Sequence, residues 1–543
     1  MDVDENCGVM EEFGVCANCV ESAKLRCGNC RQVFYCKREC QRDHWKKSHK
    51  DQCKPFKVLN SPDLGRYMVA TRDLKAGDII LKEDPIVVGP KQQTEPVCLG
   101  CYKRVDGSYR CEVCSWPLCG PECAKSPDHQ PECVVGKEIG SPIQINDFNT
   151  TNHFYEVIMP LRCLALKKRS PKKYQQFTSL ESHYEDRKGT YTHSENQKHV
   201  VEMLRGYFML LTFDPDEIDH SERGIHSALG ICDTNALDIN LAESTIQGIY
   251  PNFAMLEHSC TPNTKHAYIS GRKVVLKAAV DIKQGEHLST MYTHVLWGTY
   301  ARREHIKHNK NFMCQCPRCS DPTELGTHFS ALRCPRCPPG FLLPAAPLDE
   351  LADWICCSCN FTMPADDARA VTVGLGAAVE QALMQPTTDL LETIIENNAK
   401  NIVHPNHFHL FVIRHTLLQM YGRDPTTQDE ESMSKKEKLC QDFLKICTAL
   451  DPGMARLAPF AGVALYEYHL AVLSRARGVG SAQQVDQTTL KKDLETAKAL
   501  LQQCIKVLVD EPEDQPEGQL HKVAQQNLLE LKQWEATVIE SQT

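Results

Sequence analysis

Residues 256–293 read LEHSCTPNTKHAYISGRKVVLKAAVDIKQGEHLSTMYT. The second half is strand-like. Residues 272–282 (RKVVLKAAVDI) are rich in β-branched side chains and are bounded by Gly271 and the Gln284-Gly285 pair, which is the punctuation of a hairpin strand. The first half is different: LEHSCTPN, residues 256–263, is polar and sets a cysteine ahead of a Pro262-Asn263 turn. Such a stretch suits a fixed loop better than a strand. It leaves open what Cys260 is for and why Glu257 precedes His258.

The chain has 543 residues, and its length predicts two to four domains. With 42% apolar residues it has the composition of a globular protein that buries a core. The start MDVDENCGVMEEFG is acidic, without the apolar centre of a signal peptide, and no run of eighteen apolar residues occurs. The expectation is a protein of nucleus and cytoplasm with no membrane partner. Net charge is −9, from 61 basic and 70 acidic residues, which argues against a surface given over to nucleic acid.

Twenty-nine cysteines in such a chain favour metal ligation over disulfides. The first cluster offers four pairs: Cys16 and Cys19, Cys27 and Cys30, Cys36 and Cys40, His49 and Cys53. Eight ligands suit two tetrahedral zinc ions. His44, beside Trp45, reads as a surface histidine. The second cluster repeats the plan with Cys98 and Cys101, Cys111 and Cys114, Cys119 and Cys123, His129 and Cys133. Residues 16–57 carry eleven basic and four acidic side chains, against four and five over 98–133.

Cys314, Cys316 and Cys319 form a third group, one ligand short of a structural zinc site. Cys334 and Cys337 pair with Cys356 and Cys359 at zinc-ribbon spacing, with Cys357 as an alternative to Cys356. Cys7, Cys163, Cys232, Cys357, Cys440, Cys447 and Cys504 remain as isolated thiols. From about residue 366 strand signals stop. Leu494, Ala497, Leu501, Cys504 and Leu508 recur at three- and four-residue spacing, as do Ala524, Leu528 and Leu531, predicting antiparallel amphipathic helices.

Taken together, the two cysteine clusters, SPDLGRYMVATRDLKAGDIILKEDP (61–85), the 256–293 stretch and CQCPRC (314–319) resemble the SMYD family, proteins that combine SET and MYND domains. The extra finger ahead of the SET start is most similar to the arthropod SmydA branch. The resemblance implies an α+β fold: a MYND finger over 16–53, SET residues 57–97, a divergent MYND finger over 98–133 and a helical insertion over 134–230. A SET core over 231–312, a post-SET zinc site over 313–322, the ribbon over 330–362 and a TPR-like helical domain over 366–541 complete it. The second finger lacks the Gln-x-x-x-Trp helix that the first carries as QRDHW.

The same resemblance implies interleaved ligation, first pair with third and second with fourth, and places Cys260 as the missing post-SET thiolate. Twenty-four ligands then hold about six structural zinc ions. It further implies methyl transfer from S-adenosylmethionine to the ε-amine of a lysine in a histone or another protein. Tyr292 and His258 are the implied catalytic residues. The cofactor would meet Gly65, Arg66, Asn235, Glu257, His258, Tyr292 and Phe312. Implied partners are a protein or peptide lysine substrate and proline-containing peptides on the basic first finger, with direct nucleic-acid binding not expected.

Three positions depart from the family pattern. Tyr67 replaces a glycine of the opening turn, Glu257 replaces an asparagine, and Lys310 stands where an aromatic walls the lysine channel. These departures define the alternative, a weak or inactive SET-fold adaptor that recruits partners in transcriptional regulation through the finger and the helical lobe.

Overall fold

The computed structural model describes residues 14–27, 33–62, 64–138, 143–269, 272–423, 425–476 and 487–540. After the first finger, β1 (Phe56–Ser61) and β2 (Gly65–Ala70) form an antiparallel hairpin. Gly65 closes its turn at φ +64°, a conformation that side chains with a Cβ resist. β3 (Ile79–Glu83) and β4 (Val87–Pro90) follow and lead into the second finger.

Helices α1 (Gln130–Glu138), α2 (Ile158–Arg169) and α3 (Glu222–Asn235) frame the insertion. Its borders differ from the expected 134–230: α1 already carries finger ligand Cys133, and α3 runs unbroken to Asn235. Between α2 and α3 the chain winds through wide π-type turns at Gln197–Val201 and Met203–Tyr207. β5 (Ala236–Asn240) and β6 (Thr245–Ile249) add to β4 as a three-stranded antiparallel sheet in the order β5-β6-β4.

The short strand β7 (Glu257–His258) opens the loop. β8 (Thr264–Ile269) and β9 (Lys273–Ala278) form the predicted hairpin and take β3 as third strand, in the order β8-β9-β3. Val274, Val275 and Leu276 are all buried, the run expected of a central strand covered on both faces. β10 (Ser289–Thr290) pairs in parallel with β7, which ties the loop to the segment that ends at Tyr292. One core cluster joins these sheets to α2, α3 and the second finger. Trp116 lies at its centre, fully buried and edge-on to Tyr155 at 5.3 Å.

Helix α4 (Thr299–Lys310) carries the chain past the post-SET cysteines into a ribbon of β11 (Leu332–Arg333), β12 (Phe341–Pro344), β13 (Trp354–Cys356) and β14 (Thr362–Met363). The lobe beyond has no strand among its described residues. It contains α5 (Ala365–Met384), α6 (Thr388–Asn401), α7 (Phe408–Met420), α8 (Glu430–Leu450), α9 (Ala458–Ala476), α10 (Gln487–Leu508) and α11 (Pro516–Glu540). Leu494, Ala497, Leu501, Cys504 and Leu508 lie on the buried face of α10, as their spacing predicts. Among the described residues no helix is long and apolar enough to cross a membrane.

The lobe sits on the β8–β9 hairpin. Asp510 accepts from Lys265 at 2.8 Å and from Lys277, and a Cβ added at Gly453 would lie 2.6 Å from that of Ala279.

Burial pushes four histidines in and just before α7 well below the usual range: His407 to about 3 and His404, His409 and His415 to about 4. The folded chain holds them neutral while the unfolded chain binds protons near pH 6.5, so stability falls as pH drops through that window. Amide protection in α7 is expected to hold above pH 7 and to decline between pH 6.5 and 4, read by hydrogen exchange as protection factors. A flat profile would show that these rings do not carry the lobe's acid sensitivity.

Candidate active site and its zinc scaffold

Short loops bring the cysteine pairs together in interleaved order. Cys16, Cys19, Cys36 and Cys40 form one group, Cys98, Cys101, Cys119 and Cys123 a second, and Cys111, Cys114, His129 and Cys133 a third. Cys260 joins Cys314, Cys316 and Cys319, and Cys334, Cys337, Cys356 and Cys359 form the ribbon group. The Cys19 and Cys36 sulfurs lie 3.4 Å apart and those of Cys111 and Cys133 3.8 Å, and all donors of a set lie within 4.8 Å of one another. A zinc–sulfur bond of about 2.3 Å gives a tetrahedron edge of about 3.8 Å, and a disulfide would need about 2.05 Å. The donor sets therefore fit zinc.

For the remaining set, the sulfurs of Cys27 and Cys53 lie 3.7 Å apart and His49 is buried; Cys30, like Cys7, lies outside the described residues. A π-type turn over Trp45–His49 widens the helix that carries His49. His44 is more than a surface histidine: it hydrogen-bonds Tyr35 at 3.0 Å and stacks on His49 at 5.3 Å. In the ribbon, Cys356 belongs to the sulfur group and Cys357 is exposed, its sulfur accepting from the Phe341 N–H at 3.4 Å.

The second finger is locked to the core by a buried charge network that its ligand spacing does not reveal. Glu132 accepts from Arg162 Nε at 3.0 Å and Nη2 at 2.5 Å. Arg162 also donates to the carbonyls of Val88 and Leu99 and to the Tyr102 hydroxyl. The same carboxylate lies 3.3 Å from His129 Nδ1, while His129 Nε2 faces Cys114 at 3.3 Å. A carboxylate on the far nitrogen of a metal-binding imidazole fixes its tautomer and aim.

Around the loop, Cys260 is fully buried and receives Arg302 Nε at 3.3 Å, and Arg302 Nη2 reaches Cys319 at 3.6 Å. Glu324 bridges Arg302 at 2.9 Å and Arg318 at 3.0 Å, all three buried. The two guanidiniums hold its carboxyl down at about 2 despite its burial. The cation over the sulfurs offsets the negative charge that four thiolates would bring to a zinc ion.

His258 links this scaffold to Tyr292. Its Nδ1 accepts the Tyr292 backbone N–H at 3.0 Å, so the proton sits on Nε2, which meets Cys260 Sγ at 3.3 Å. The Tyr292 hydroxyl donates to the Leu256 carbonyl. Burial and the nearby Glu257 charge raise the Tyr292 pKa, so it remains a neutral donor at physiological pH. Phe312 completes the cluster, 6.1 Å from the His258 ring and 6.5 Å from that of Tyr292.

The other expected site residues take two directions. Asn235, the last residue of α3, spends both Nδ2 hydrogens on the carbonyls of Glu181 and Ile231 at 2.9 Å, leaving its oxygen as the group it can offer a ligand. Lys310 projects toward the Tyr292 ring. Arg66 turns away to the Ser179 carbonyl at 2.6 Å, so only its backbone is placed beside the Gly65 turn. Glu257 accepts from His287 Nδ1 at 2.5 Å, and His287 stacks on Tyr67 at 4.6 Å. His287 thus connects two of the departures, a role that no motif in the sequence marks.

The MYND finger model matches residues 16–53 and the SET domain model residues 65–293. The chain thus carries a MYND finger and a SET domain, and it is similar to proteins of the SET and MYND type. Relatives include the SET domain-containing protein SmydA-8, isoform A, of Drosophila melanogaster, 29% identical over 56% of this chain and 65% of that protein. The histone-lysine N-methyltransferase ASHR1 of Arabidopsis thaliana is 23% identical over 64% of this chain and 72% of its own length. The human histone-lysine N-methyltransferase SMYD3 is 25% identical over 47% and 59%. The match therefore spans slightly under two thirds of the SmydA-8 relative.

The arrangement offers a neutral phenol, an imidazole of fixed tautomer and an aromatic face around one loop. Cys260, the cysteine beside the His258 imidazole, belongs to a four-cysteine set, and five ligand sets among the described residues offer four protein donors each. Such a site positions reactants rather than attacking them.

Proposed function

We propose that the chain is an S-adenosylmethionine-dependent protein-lysine N-methyltransferase acting on a histone or another protein. The observation that carries this reading is the fixed chain from Cys260 through His258 to Tyr292, with Phe312 beside it. The cofactor, when bound, supplies a methyl group on a sulfonium. The residues fit it: a Cβ built on Gly65 would meet nothing within 4 Å, so that turn lies open to a ligand, and Asn235 presents an acceptor suited to an ammonium. Tyr292 holds its hydroxyl on the Leu256 carbonyl, a position from which its oxygen orients an incoming amine. His258 keeps the Tyr292 backbone in register, and Phe312 sets an aromatic face beside both rings. Calorimetry with S-adenosylmethionine tests the reading. Tyr292→Phe is expected to bind the cofactor as the wild type does and to lose methyl transfer; absence of any binding by the wild type would refute it.

Glu257 adds a quantitative expectation. Its carboxylate cannot donate the hydrogen bond that an asparagine amide would, and an unmet buried partner costs roughly 1–3 kcal/mol. Glu257→Asn is expected to tighten cofactor binding about tenfold, equal to roughly 1.4 kcal/mol. Weaker binding by the variant would make Glu257 a cofactor ligand in its own right. The basic first finger, with Val15, Val20 and Leu25 exposed, is proposed to dock proline-containing peptides. Removing residues 1–55 is expected to abolish their capture and leave the SET core folded.

A further inference from the structure

Lys310 ends α4, and its half-buried amine has no carboxylate partner among the described residues. Nζ donates to the carbonyls of Asp233 at 3.0 Å and Thr234 at 2.6 Å. Both belong to the last turn of α3, where carbonyls lack a donor within the helix. The amine also stands 5.7 Å from the centroid of the Tyr292 ring, within reach of a cation–π contact. Among the described residues no carboxylate lies within ion-pair distance of Nζ, and the Asp233 carboxylate is taken by Arg187. Carbonyl oxygens with an aromatic face are what a closed channel offers an alkylammonium. Helix capping accounts for the two carbonyls but not for a cation held against the tyrosine ring.

We propose that the Lys310 amine fills, from within the chain, the position that an acceptor lysine amine would take beside Tyr292, and so determines which acceptors the site admits. The inference rests on the methyltransferase reading. Two ammonium groups cannot share one set of acceptors, so an acceptor must displace Lys310 or find it deprotonated. Burial pushes the Lys310 pKa down to about 8, with Asp233 and Asp238 opposing the shift, so at neutral pH the charged form prevails. Lys310 is thus a specificity-determining residue that disfavours ordinary lysine acceptors.

The test uses the full chain with its zinc retained, core histones as acceptor and S-adenosylmethionine carrying a labelled methyl group. Lys310→Met is expected to bind the cofactor as the wild type does and to transfer methyl at least about tenfold faster, and Lys310→Arg, which keeps the charge, to gain nothing. A purely structural cap would slow transfer in both. In a second arm, Lys310→Ala is titrated with n-butylammonium, which is expected to raise its melting temperature and leave that of the wild type unchanged. Unchanged or slower transfer by Lys310→Met with cofactor bound overturns the proposal, as does the absence of any n-butylammonium effect on Lys310→Ala. Failure of every form to bind S-adenosylmethionine would instead refute the methyltransferase reading, and the n-butylammonium arm would still decide whether the position accepts an alkylammonium.

Discussion

Cys260→Ser is expected to lose one zinc ion per chain and the activity of the site together. Cys260 contributes the one thiolate that joins the loop to Cys314, Cys316 and Cys319, and a serine hydroxyl does not replace it as a zinc ligand. Structural zinc contributes about 10–16 kcal/mol of binding free energy in finger peptides, and that energy is folding energy. Without it, Arg302 faces a depleted sulfur set, and His258 loses the acceptor of its Nε2 proton. Tyr292 then loses the imidazole that fixes its backbone. A misplacement of about 1 Å at such a distance from the chemistry lowers rate by about a hundredfold. Elemental analysis of the purified variant, paired with the methyl-transfer assay, checks both parts. Full metal content with an inactive site would break the proposed link between them.

Glu132→Ala is expected to destabilise the chain by about 3–5 kcal/mol, the range for leaving one member of a buried ion pair unmatched. Arg162 has no route to solvent: it is buried and its remaining donors are held by Val88, Leu99 and Tyr102. The second consequence is specific to the finger. Loss of the carboxylate behind His129 is expected to weaken zinc there by about ten- to a hundredfold, the usual effect of removing the hydrogen-bond partner of a metal-binding imidazole. Denaturant unfolding measures the first effect and competition with a chromogenic chelator the second. Glu132→Gln separates them, because it keeps an acceptor toward His129 while removing the charge that balances Arg162. Equal zinc affinity in all three proteins would show that Glu132 serves stability alone.

The parts legible in the sequence are those whose chemistry is local. Metal ligands occur in pairs two to four residues apart, so each finger announces itself, and the β-branched strand around Val275 does the same. Cys260 was readable only through family resemblance, because its partners lie more than fifty residues downstream. Buried charges were silent: Arg302, Arg318, Glu324, Glu132 and Arg162 look like surface residues in a linear reading, and only tertiary packing makes each of them someone's partner. His287 was hidden for the same reason, since its two contacts, Glu257 and Tyr67, lie 30 and 220 residues away in sequence. The insertion is legible as helical, but its π-type turns over 197–207, which interrupt the 3.6-residue period, are not. Lys310 could be placed by counting back four residues from Cys314, yet nothing in that count shows where its amine goes.

The Cys260 sulfur meets that of Cys319 across 59 residues of chain, whereas Cys19 meets Cys40 across 21. On a ribosome that adds about 5–20 residues per second, those 59 residues take roughly 3–12 s to appear. The first finger can take its metal almost as soon as it emerges. The loop that positions Tyr292 must wait, its thiolate uncommitted, until the post-SET cysteines leave the exit tunnel. A shortage of zinc during that interval is expected to leave a chain with finished fingers and an unfinished loop around Tyr292.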